Sequence, residues 1–191
     1  MSSLNIGVLA LQGDFREHIE ATIACGNKAR AIRRPDELHG LDGLIFPGGE
    51  STTIALLATS YQLFDPIREA IASGLPVYGS CAGMILLADR ILDGAAGQKT
   101  FGGINMTVRR NAFGRQVESF EAPIDFNNES INGVFIRAPW VEEVGEGVQV
   151  LSSVDGHPVA VRQGKLLATS FHPELTQDHA VHRYFFEEIC R

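Results

Sequence analysis

The sequence has few cysteines, little positive charge and no long apolar run. Its 191 residues include three cysteines, Cys25, Cys81 and Cys190, an odd number without the spacing of a disulfide framework. This usage predicts reduced thiols and a cytoplasmic protein. No stretch is apolar over the length that crosses a bilayer, and the N-terminus lacks the basic region of a secretory signal. We therefore expect neither a membrane protein nor a secreted disulfide scaffold.

The charge balance argues against two further classes of partner. The chain has 16 lysines and arginines against 23 aspartates and glutamates, a formal net charge of −7. Because nucleic acids and anionic membranes are bound by clustered positive charge, we expect neither as a partner. The chain is 45% hydrophobic, which is sufficient for a packed core. No repeat, low-complexity stretch or linker divides it, so residues 1–191 are predicted to form a single domain.

Strands and helices alternate through the first half of the sequence. Residues 5–11 are a nearly continuous apolar run, typical of a strand buried on both faces in a parallel sheet. Asp14 and Glu17 have the spacing of a capping box, and residues 82–92 are predicted to be helical. In the second half, strand-like segments follow one another until a final predicted helix at 178–190. The fold is therefore predicted to be α/β, an open three-layer sandwich with a mostly parallel central sheet and an antiparallel extension.

The sharpest local signal is the pentapeptide Gly-Ser-Cys-Ala-Gly at residues 79–83, between a predicted strand and a predicted helix. A nucleophile elbow needs this context, and here Cys81 takes the position of the nucleophile. The glycines permit a tight turn, and the start of a helix favours thiolate over thiol. The backbone N–H of Ala82 is expected to point at a developing oxyanion. From the pentapeptide alone, a small buried cysteine in a Gly-rich turn is an equally good interpretation.

A second signal is the sequence Ser-Phe-His-Pro-Glu at residues 170–174. Pro173 biases His172 toward an extended backbone, in which side chains two residues apart project to the same side. Glu174 can then hold one ring nitrogen of His172 while the other nitrogen faces the thiol, as in a nucleophile–base–orienter triad. The alternative is a surface histidine beside a turn proline.

The other five histidines have weaker contexts. We interpret His18, His39 and His157 as surface or turn positions. His179 and His182 lie three residues apart on the predicted last helix, a spacing that is possible for a metal-binding pair. Without a nearby set of carboxylate or cysteine ligands, a solvated helix face is the better interpretation.

A third signal is the turn Pro-Gly-Gly-Glu-Ser at residues 47–51, which also follows an apolar strand. Adjacent glycines let backbone amides approach a ligand, so the turn is a candidate for a second oxyanion donor. Taken alone, an ordinary Gly-rich turn is the better interpretation, and the phosphate-binding glycine motifs are missing. However, all three signals follow strands, and ligands of open α/β sheets bind at the carboxyl ends of the strands. Their coincidence there favours catalysis.

Together these residues resemble the class I, or triad, glutamine amidotransferases, which carry a Pro-Gly-Gly loop, a Gly-x-Cys-x-Gly elbow and a His-Pro-Glu segment in this chain order. Within that superfamily, the sequence is similar to the glutaminase subunits of pyridoxal 5′-phosphate synthases from its first strand to its last helix. The most family-specific stretch is Arg-Asn-Ala-Phe-Gly-Arg-Gln at residues 110–116. The other similar stretches are residues 9–13, 48–53, 119–121, 133–139 and 170–176.

The resemblance implies hydrolysis of L-glutamine to L-glutamate and ammonia. Cys81 attacks the side-chain amide, His172 moves the protons, and Glu174 orients His172 and stabilises its charged form. The ammonia then passes to a separate synthase subunit, which uses it to make pyridoxal 5′-phosphate. The resemblance also implies that this subunit needs no metal and no bound cofactor.

The resemblance also identifies a set of glutamine-binding positions. The amides of Gly49 and Ala82 are expected to form the oxyanion hole. From the residues alone, Arg110 and Arg137 are better interpreted as surface ion pairs, whereas the resemblance makes them candidates for anchoring the substrate carboxylate. The matched positions are Gly48, Gly49, Glu50, Arg110, Ile136 and Arg137.

Three alternatives stay open. The first is a glutaminase of the same superfamily that serves a different synthase, which residues 110–116 argue against. A cysteine peptidase or related hydrolase can share this fold, but the Gly-Gly-Glu-Ser loop and the His-Pro-Glu segment favour glutamine. A non-enzymatic partner protein has no chemical need for the complete set of Cys81, His172 and Glu174.

Overall fold

The computed structural model describes residues 3–113 and 119–191. The helices in this part of the chain are α1 (Phe15–Ala24), α2 (Ser51–Ser60), α3 (Phe64–Ala72), α4 (Ala82–Leu87) and α5 (Ala180–Tyr184), and a π-helical turn (Phe185–Ile189) continues α5. Short 3-10 turns cover Pro35–Leu38 and Pro173–Leu175. The strands are β1 (Asn5–Leu9), β2 (Lys28–Ile32), β3 (Gly43–Phe46), β4 (Val77–Ser80), β5 (Ala88–Leu92), β6 (Ile104–Arg109), β7 (Ser119–Phe126), β8 (Glu129–Ile136), β9 (Trp140–Val144), β10 (Gln149–Val154), β11 (His157–Gln163) and β12 (Leu166–Thr169).

Seven strands form the main sheet, in the order β10-β11-β12-β4-β3-β1-β2. The pairs from β2 through β1, β3 and β4 to β12 are parallel, whereas β11 and β10 extend the sheet in the antiparallel direction. The prediction of a mostly parallel sheet with an antiparallel extension is confirmed. Because β1, β3, β4 and β12 run in the same direction, the loops that follow them lie at one edge of the sheet.

Alternating side chains of the central strands build a core on each face of the sheet. Leu44 and Phe46 of β3 pack in one cluster with α2, α3, α4 and a second sheet of order β5-β6-β9. Ile45 points to the opposite cluster, which contains residues of α5 and of the β7–β8 hairpin and packs against α1. All three side chains are fully buried, and each such burial contributes about 1.5–3 kcal/mol. This is the predicted three-layer arrangement.

The helix predicted over residues 82–92 is wrong in its second half. α4 ends at Leu87, and the chain continues directly as β5, which pairs in parallel with β6. Asp89 accepts a hydrogen bond from the N–H of Gly103 at 2.9 Å, and Arg90 donates to the hydroxyl of Thr107 at 2.9 Å. These contacts with a distant part of the chain outweigh helix propensity, which differs by less than about 1 kcal/mol between most residues.

The β7–β8 hairpin turns at Asn127 and Asn128, which both have positive φ, as a tight two-residue hairpin turn requires. Residues 114–118 lie outside the described residues, and with them part of the family-specific stretch at 110–116. Within the described ranges, no helix has the length and apolar character needed to cross a bilayer.

Candidate active site

Cys81 lies in the turn between β4 and α4. Its φ of 47° is unusual for a residue with a side chain, and such backbone strain costs about 1–3 kcal/mol. Two glycines make the turn possible, because a Cβ on Gly79 would lie 2.4 Å from the carbonyl oxygen of Gly83, and one on Gly83 would lie 2.5 Å from that of Phe46. The N–H of Cys81 donates to the carbonyl of Thr169 on β12 at 2.8 Å. The tight strand–turn–helix geometry expected of an elbow is therefore present.

His172 follows β12, and its ring lies beside Cys81. The ring nitrogen Nδ1 donates to Oε1 of Glu174 at 2.7 Å, and the ring is near enough to Cys81 for this residue to contribute to its raised pKa. The backbone N–H of His172 donates to the carbonyl of Val134 on β8 at 2.8 Å. The side chains of Cys81, His172 and Glu174 are all buried. The structure thus brings the three predicted triad residues together in the order thiol, imidazole, carboxylate.

A second carboxylate, that of Asp14, also contacts His172. Oδ2 of Asp14 lies 3.0 Å from Nδ1 of His172. Asp14 precedes α1 as predicted, but its side chain makes no capping hydrogen bond, so the capping box with Glu17 is wrong. This contact was not predicted, because the partner of Asp14 is 158 residues away and the local pattern indicated a helix cap.

The charges of these groups depend on one another. Burial by itself lowers the pKa of His172, but interactions with Asp14, Cys81 and Glu174 favour the charged ring and raise its pKa to about 12. Burial raises the pKa of Asp14, but the hydrogen bond with His172 and the charge of that ring outweigh this effect and lower it to about 2. At neutral pH the ring is therefore an imidazolium between two carboxylates.

Two buried histidines lie behind Glu174. Nε2 of His18 is 2.9 Å from the hydroxyl of Ser80 and 3.4 Å from Oε2 of Glu174, and Nδ1 of His18 is 3.0 Å from Nε2 of His182. Both rings are fully buried, so the interpretation of His18 and His182 as surface positions was wrong. Burial, with the nearby charges of His18 and His179, holds the pKa of His182 well below its usual value.

The glycine loop after β3 packs against the ring of His172. A Cβ on Gly48 would lie 2.4 Å from Cε1 of His172, so glycine is the residue that fits there. Gly49 has a φ of 146°, a backbone conformation that residues with side chains rarely adopt. The second expected oxyanion donor, Ala82, is the first residue of α4 and directly follows Cys81. The loop and the elbow thus both precede the triad histidine in the chain, and both lie at the same sheet edge.

The turn after β1, at Gln12 and Gly13, packs against this glycine loop. A Cβ on Gly13 would lie 1.8 Å from the carbonyl oxygen of Gly48, so the two backbones are in direct contact. The side chain of Gln12 accepts a hydrogen bond from the backbone N–H of Glu50 at 2.8 Å. The conformation of the glycine loop therefore depends on contacts with residues 12 and 13.

Two of the expected glutamine-binding residues are paired with each other. Nη2 of Arg110 donates to Oε1 of Glu50 at 2.8 Å, and Nη1 donates to the side-chain oxygen of Gln98 at 2.9 Å. The other carboxylate oxygen of Glu50 accepts the N–H of Thr53 at 2.8 Å, which caps α2. Glu50 therefore holds Arg110 at the rim of the glycine loop.

The remaining two expected residues are at the end of β8. The carbonyl oxygen of Ile136 lies 3.9 Å from Sγ of Cys81. Both Ile136 and Arg137 are exposed, and Arg137 has a φ of 44°. The structure thus places Ile136 against the nucleophile and Arg137 next to it on the surface.

The described residues contain one group with metal-ligand spacing. Ligand atoms of Asp14, His172 and Glu174 all lie within 4.8 Å of one another. Nδ1 of His172 already donates to both carboxylates at hydrogen-bond distance, so its proton occupies the centre of this group. The arrangement fits a charged histidine better than a cation, which would have to displace that proton.

Comparisons with known proteins find similar sequences and structures over nearly the whole chain. The pyridoxal 5′-phosphate synthase subunit PdxT of Streptomyces coelicolor is 61% identical over 187 residues, which cover 96% of this chain and 93% of that protein. A crystal structure of a glutamine amidotransferase superposes with a TM-score of 0.92 and 52% identity over 97% of this chain and 98% of that one. The structure of PurLQS from Thermotoga maritima, at 15% identity and a TM-score of 0.67, shares the fold over 98% of this chain and 99% of that one. The model of the SNO glutamine amidotransferase family matches residues 8–191, and the chain belongs to this family.

Proposed function

We propose that Cys81, His172 and Glu174 hydrolyse the side-chain amide of L-glutamine, in a glutaminase subunit of pyridoxal 5′-phosphate synthase. The observation that carries this assignment is the buried imidazole of His172, which donates to the carboxylate of Glu174 at Nδ1 and lies beside a cysteine in a strained elbow. A nucleophile, a proton carrier and an orienting group in this order form a covalent-catalysis triad. Membership of the glutamine amidotransferase family supports the choice of glutamine as substrate.

The reaction proceeds through a thioester. The thiolate of Cys81 attacks the amide carbon, and the N–H groups of Gly49 and Ala82 stabilise the resulting oxyanion. His172 gives its proton to the leaving nitrogen, so the C–N bond breaks and ammonia departs. Water then attacks the thioester and transfers a proton to His172. Collapse of the second intermediate breaks the C–S bond, releases glutamate and regenerates the thiolate and the imidazolium.

The charged groups beside the glycine loop suit the other end of the substrate. Glutamine carries an α-carboxylate and an α-ammonium group. The guanidinium of Arg110 matches the two oxygens of a carboxylate, with Arg137 as a second cation at the end of β8. The carboxylate of Glu50 matches the ammonium. Ile136 contributes the backbone carbonyl that faces Cys81.

The direct test is replacement of the nucleophile. We expect Cys81→Ala to abolish ammonia release from glutamine while calorimetry still detects glutamine binding, because Arg110 and the glycine loop hold the substrate independently. Cys25→Ala and Cys190→Ala are the controls, since neither cysteine lies in an elbow, and both should retain turnover. Turnover by Cys81→Ala, or cleavage of a peptide panel in preference to glutamine by the unaltered chain, would contradict the assignment.

We further propose that the ammonia passes to a pyridoxal 5′-phosphate synthase subunit and that this partner activates the glutaminase. The relatives are named as subunits of that synthase, which supports such an assembly. The turn at Gln12 and Gly13 lies at the sheet edge and contacts the glycine loop, so a partner bound there can change the direction of the loop's N–H groups.

Titration of the glutaminase with synthase subunit shows whether the partner activates glutamine hydrolysis or only accepts the ammonia. Glutamine hydrolysis by the isolated chain should be slow and should rise as synthase subunit is added without sugar phosphates. Full activity of the isolated chain with a flat titration would refute activation and leave the triad assignment standing.

A further inference from the structure

We propose that Asp14 is a positioning residue for His172, a second carboxylate that shares the ring proton at Nδ1 with Glu174. The inference rests on the proposed function, because it assigns Asp14 a part only through the triad histidine. It adds to the expected triad a residue that belongs to the turn before α1.

The geometry shows two acceptors on one N–H group. Nδ1 of His172 lies 2.7 Å from Oε1 of Glu174 and 3.0 Å from Oδ2 of Asp14. Asp14 is the residue before α1, but its side chain makes no capping hydrogen bond to the helix. Its carboxylate is instead hydrogen-bonded to His172. The side chain of Asp14 is 20% exposed, whereas that of Glu174 is fully buried. Asp14 is therefore the more solvent-exposed of the two carboxylates that are hydrogen-bonded to this ring.

The charges around the ring explain what the second carboxylate does. The titratable groups that face His172 are Asp14 from the start of α1, Cys81 from the elbow and Glu174 from the turn after β12. His18 lies behind Glu174 and contacts its other oxygen. Burial opposes a charged ring, and the hydrogen bonds with Asp14 and Glu174, together with the nearby Cys81, overcome it. Asp14 thereby keeps His172 protonated, ready to give a proton to the leaving ammonia, at alkaline pH.

Asp14 also connects the ring with the glycine loop. Its backbone N–H donates to the carbonyl of Gly48 at 3.3 Å, and a Cβ on Gly48 would lie 2.9 Å from its Oδ2. One residue therefore touches both the loop expected to stabilise the oxyanion and the histidine expected to move the protons.

The first test uses Asp14→Asn, which keeps the size of the side chain and removes its charge. In the full chain, ring-nitrogen NMR should show that the pKa of His172 falls by about 1–3 units, the usual effect of losing one adjacent opposite charge. In the complex with the synthase subunit, the alkaline limb of kcat/KM should move down by a similar amount, with the KM for glutamine unchanged. Glu20→Gln is the matched control, because it removes one negative charge from the exposed face of the same helix.

An unchanged His172 titration in Asp14→Asn would overturn the proposal, as would a rise in KM with an unchanged pH profile. A second test is the double variant Asp14→Asn/Glu174→Gln. If both carboxylates hold one proton, each single variant keeps one of them, and the double variant should lose more turnover than the product of the single losses. A product of independent effects would contradict sharing. The NMR titration needs no turnover. It therefore tests the role of Asp14 even if Cys81 proves not to be the nucleophile.

Discussion

The guanidinium of Arg110 is bonded to the carboxylate of Glu50 across 2.8 Å, so two residues expected to bind glutamine bind each other in the structure. The Glu50 side chain is 47% exposed, and ion pairs this accessible contribute about 0–1 kcal/mol. Glutamine can therefore take over part of the pair's hydrogen bonding at little cost. The pair presets the position of both charges before the substrate arrives.

We expect Arg110→Gln to raise the KM for glutamine about 10- to 100-fold with little change in kcat. A hydrogen bond to a charged group contributes about 1.5–3 kcal/mol, and one that is made equally in the ground and transition states affects binding only. Arg109→Gln is a matched control, because the neighbouring Arg109 pairs with Asp93 and Glu142 at 2.7 and 3.0 Å. Steady-state kinetics with glutamine measure the effect, and a fall in kcat at constant KM would assign Arg110 to the chemical step instead.

Gly48 packs so closely against the ring of His172 that no side chain fits between them. We expect Gly48→Ala to lower kcat by on the order of 10²-fold, because a methyl group 2.4 Å from Cε1 must displace the ring from Cys81, and small misplacements of reacting groups have effects of this size. Gly94→Ala is the control, since Gly94 is exposed and its Cβ would first meet the flexible end of Ile91. Circular dichroism checks folding. Unaltered kcat in Gly48→Ala would show that the loop yields without moving the ring.

The buried histidine pair predicts a loss of stability in mild acid. Unfolded His182 takes up a proton below about pH 6.5, whereas the folded ring, with its pKa well below that value, does not. The unfolded state then binds more protons, so the free energy of unfolding falls as pH drops from 6.5, by up to about 1.4 kcal/mol per pH unit. Asp14, with its pKa lowered to about 2, affects stability only at more acidic pH, below its ordinary value.

Urea denaturation at pH 7, 6 and 5 measures this dependence. In His182→Gln the slope between pH 6.5 and 5 should be smaller than in the unaltered chain, whatever the absolute stability of the variant. His39→Gln should keep the full slope, because His39 is exposed. Parallel pH dependences for His182→Gln and the unaltered chain would assign the acid sensitivity to another group.

The parts of the fold that were predictable depend on local pattern. β1 and β3 were predicted because a strand buried on both faces is apolar throughout, and the elbow because its glycines mark a turn that only small residues allow. α4 was predicted to be too long because residues 88–92 have no local signal for strand β5. Its hydrogen bonds go to residues around Gly103 and Thr107, which a window along the chain does not include.

The same limit applies to the site. His172 and Glu174 are two residues apart, so an extended backbone was sufficient to place one beside the other. Asp14 and His18 approach the same pair from 158 and 156 positions away, and their local surroundings resemble an ordinary helix start. Long-range polar contacts of this kind depend on how β1 and β12 are ordered in the sheet, which hydrophobic periodicity leaves open.

The β7–β8 hairpin meets the triad through its main chain. The carbonyl of Val134 accepts the N–H of His172, and the carbonyl of Ile136 faces the thiol of Cys81. Every amino acid supplies a carbonyl, so these two contacts survive replacement of the hairpin's side chains. The hairpin also forms its own two-stranded sheet, apart from the one that carries the elbow. A change at one of its exposed side chains therefore leaves in place the main-chain groups that face His172 and Cys81.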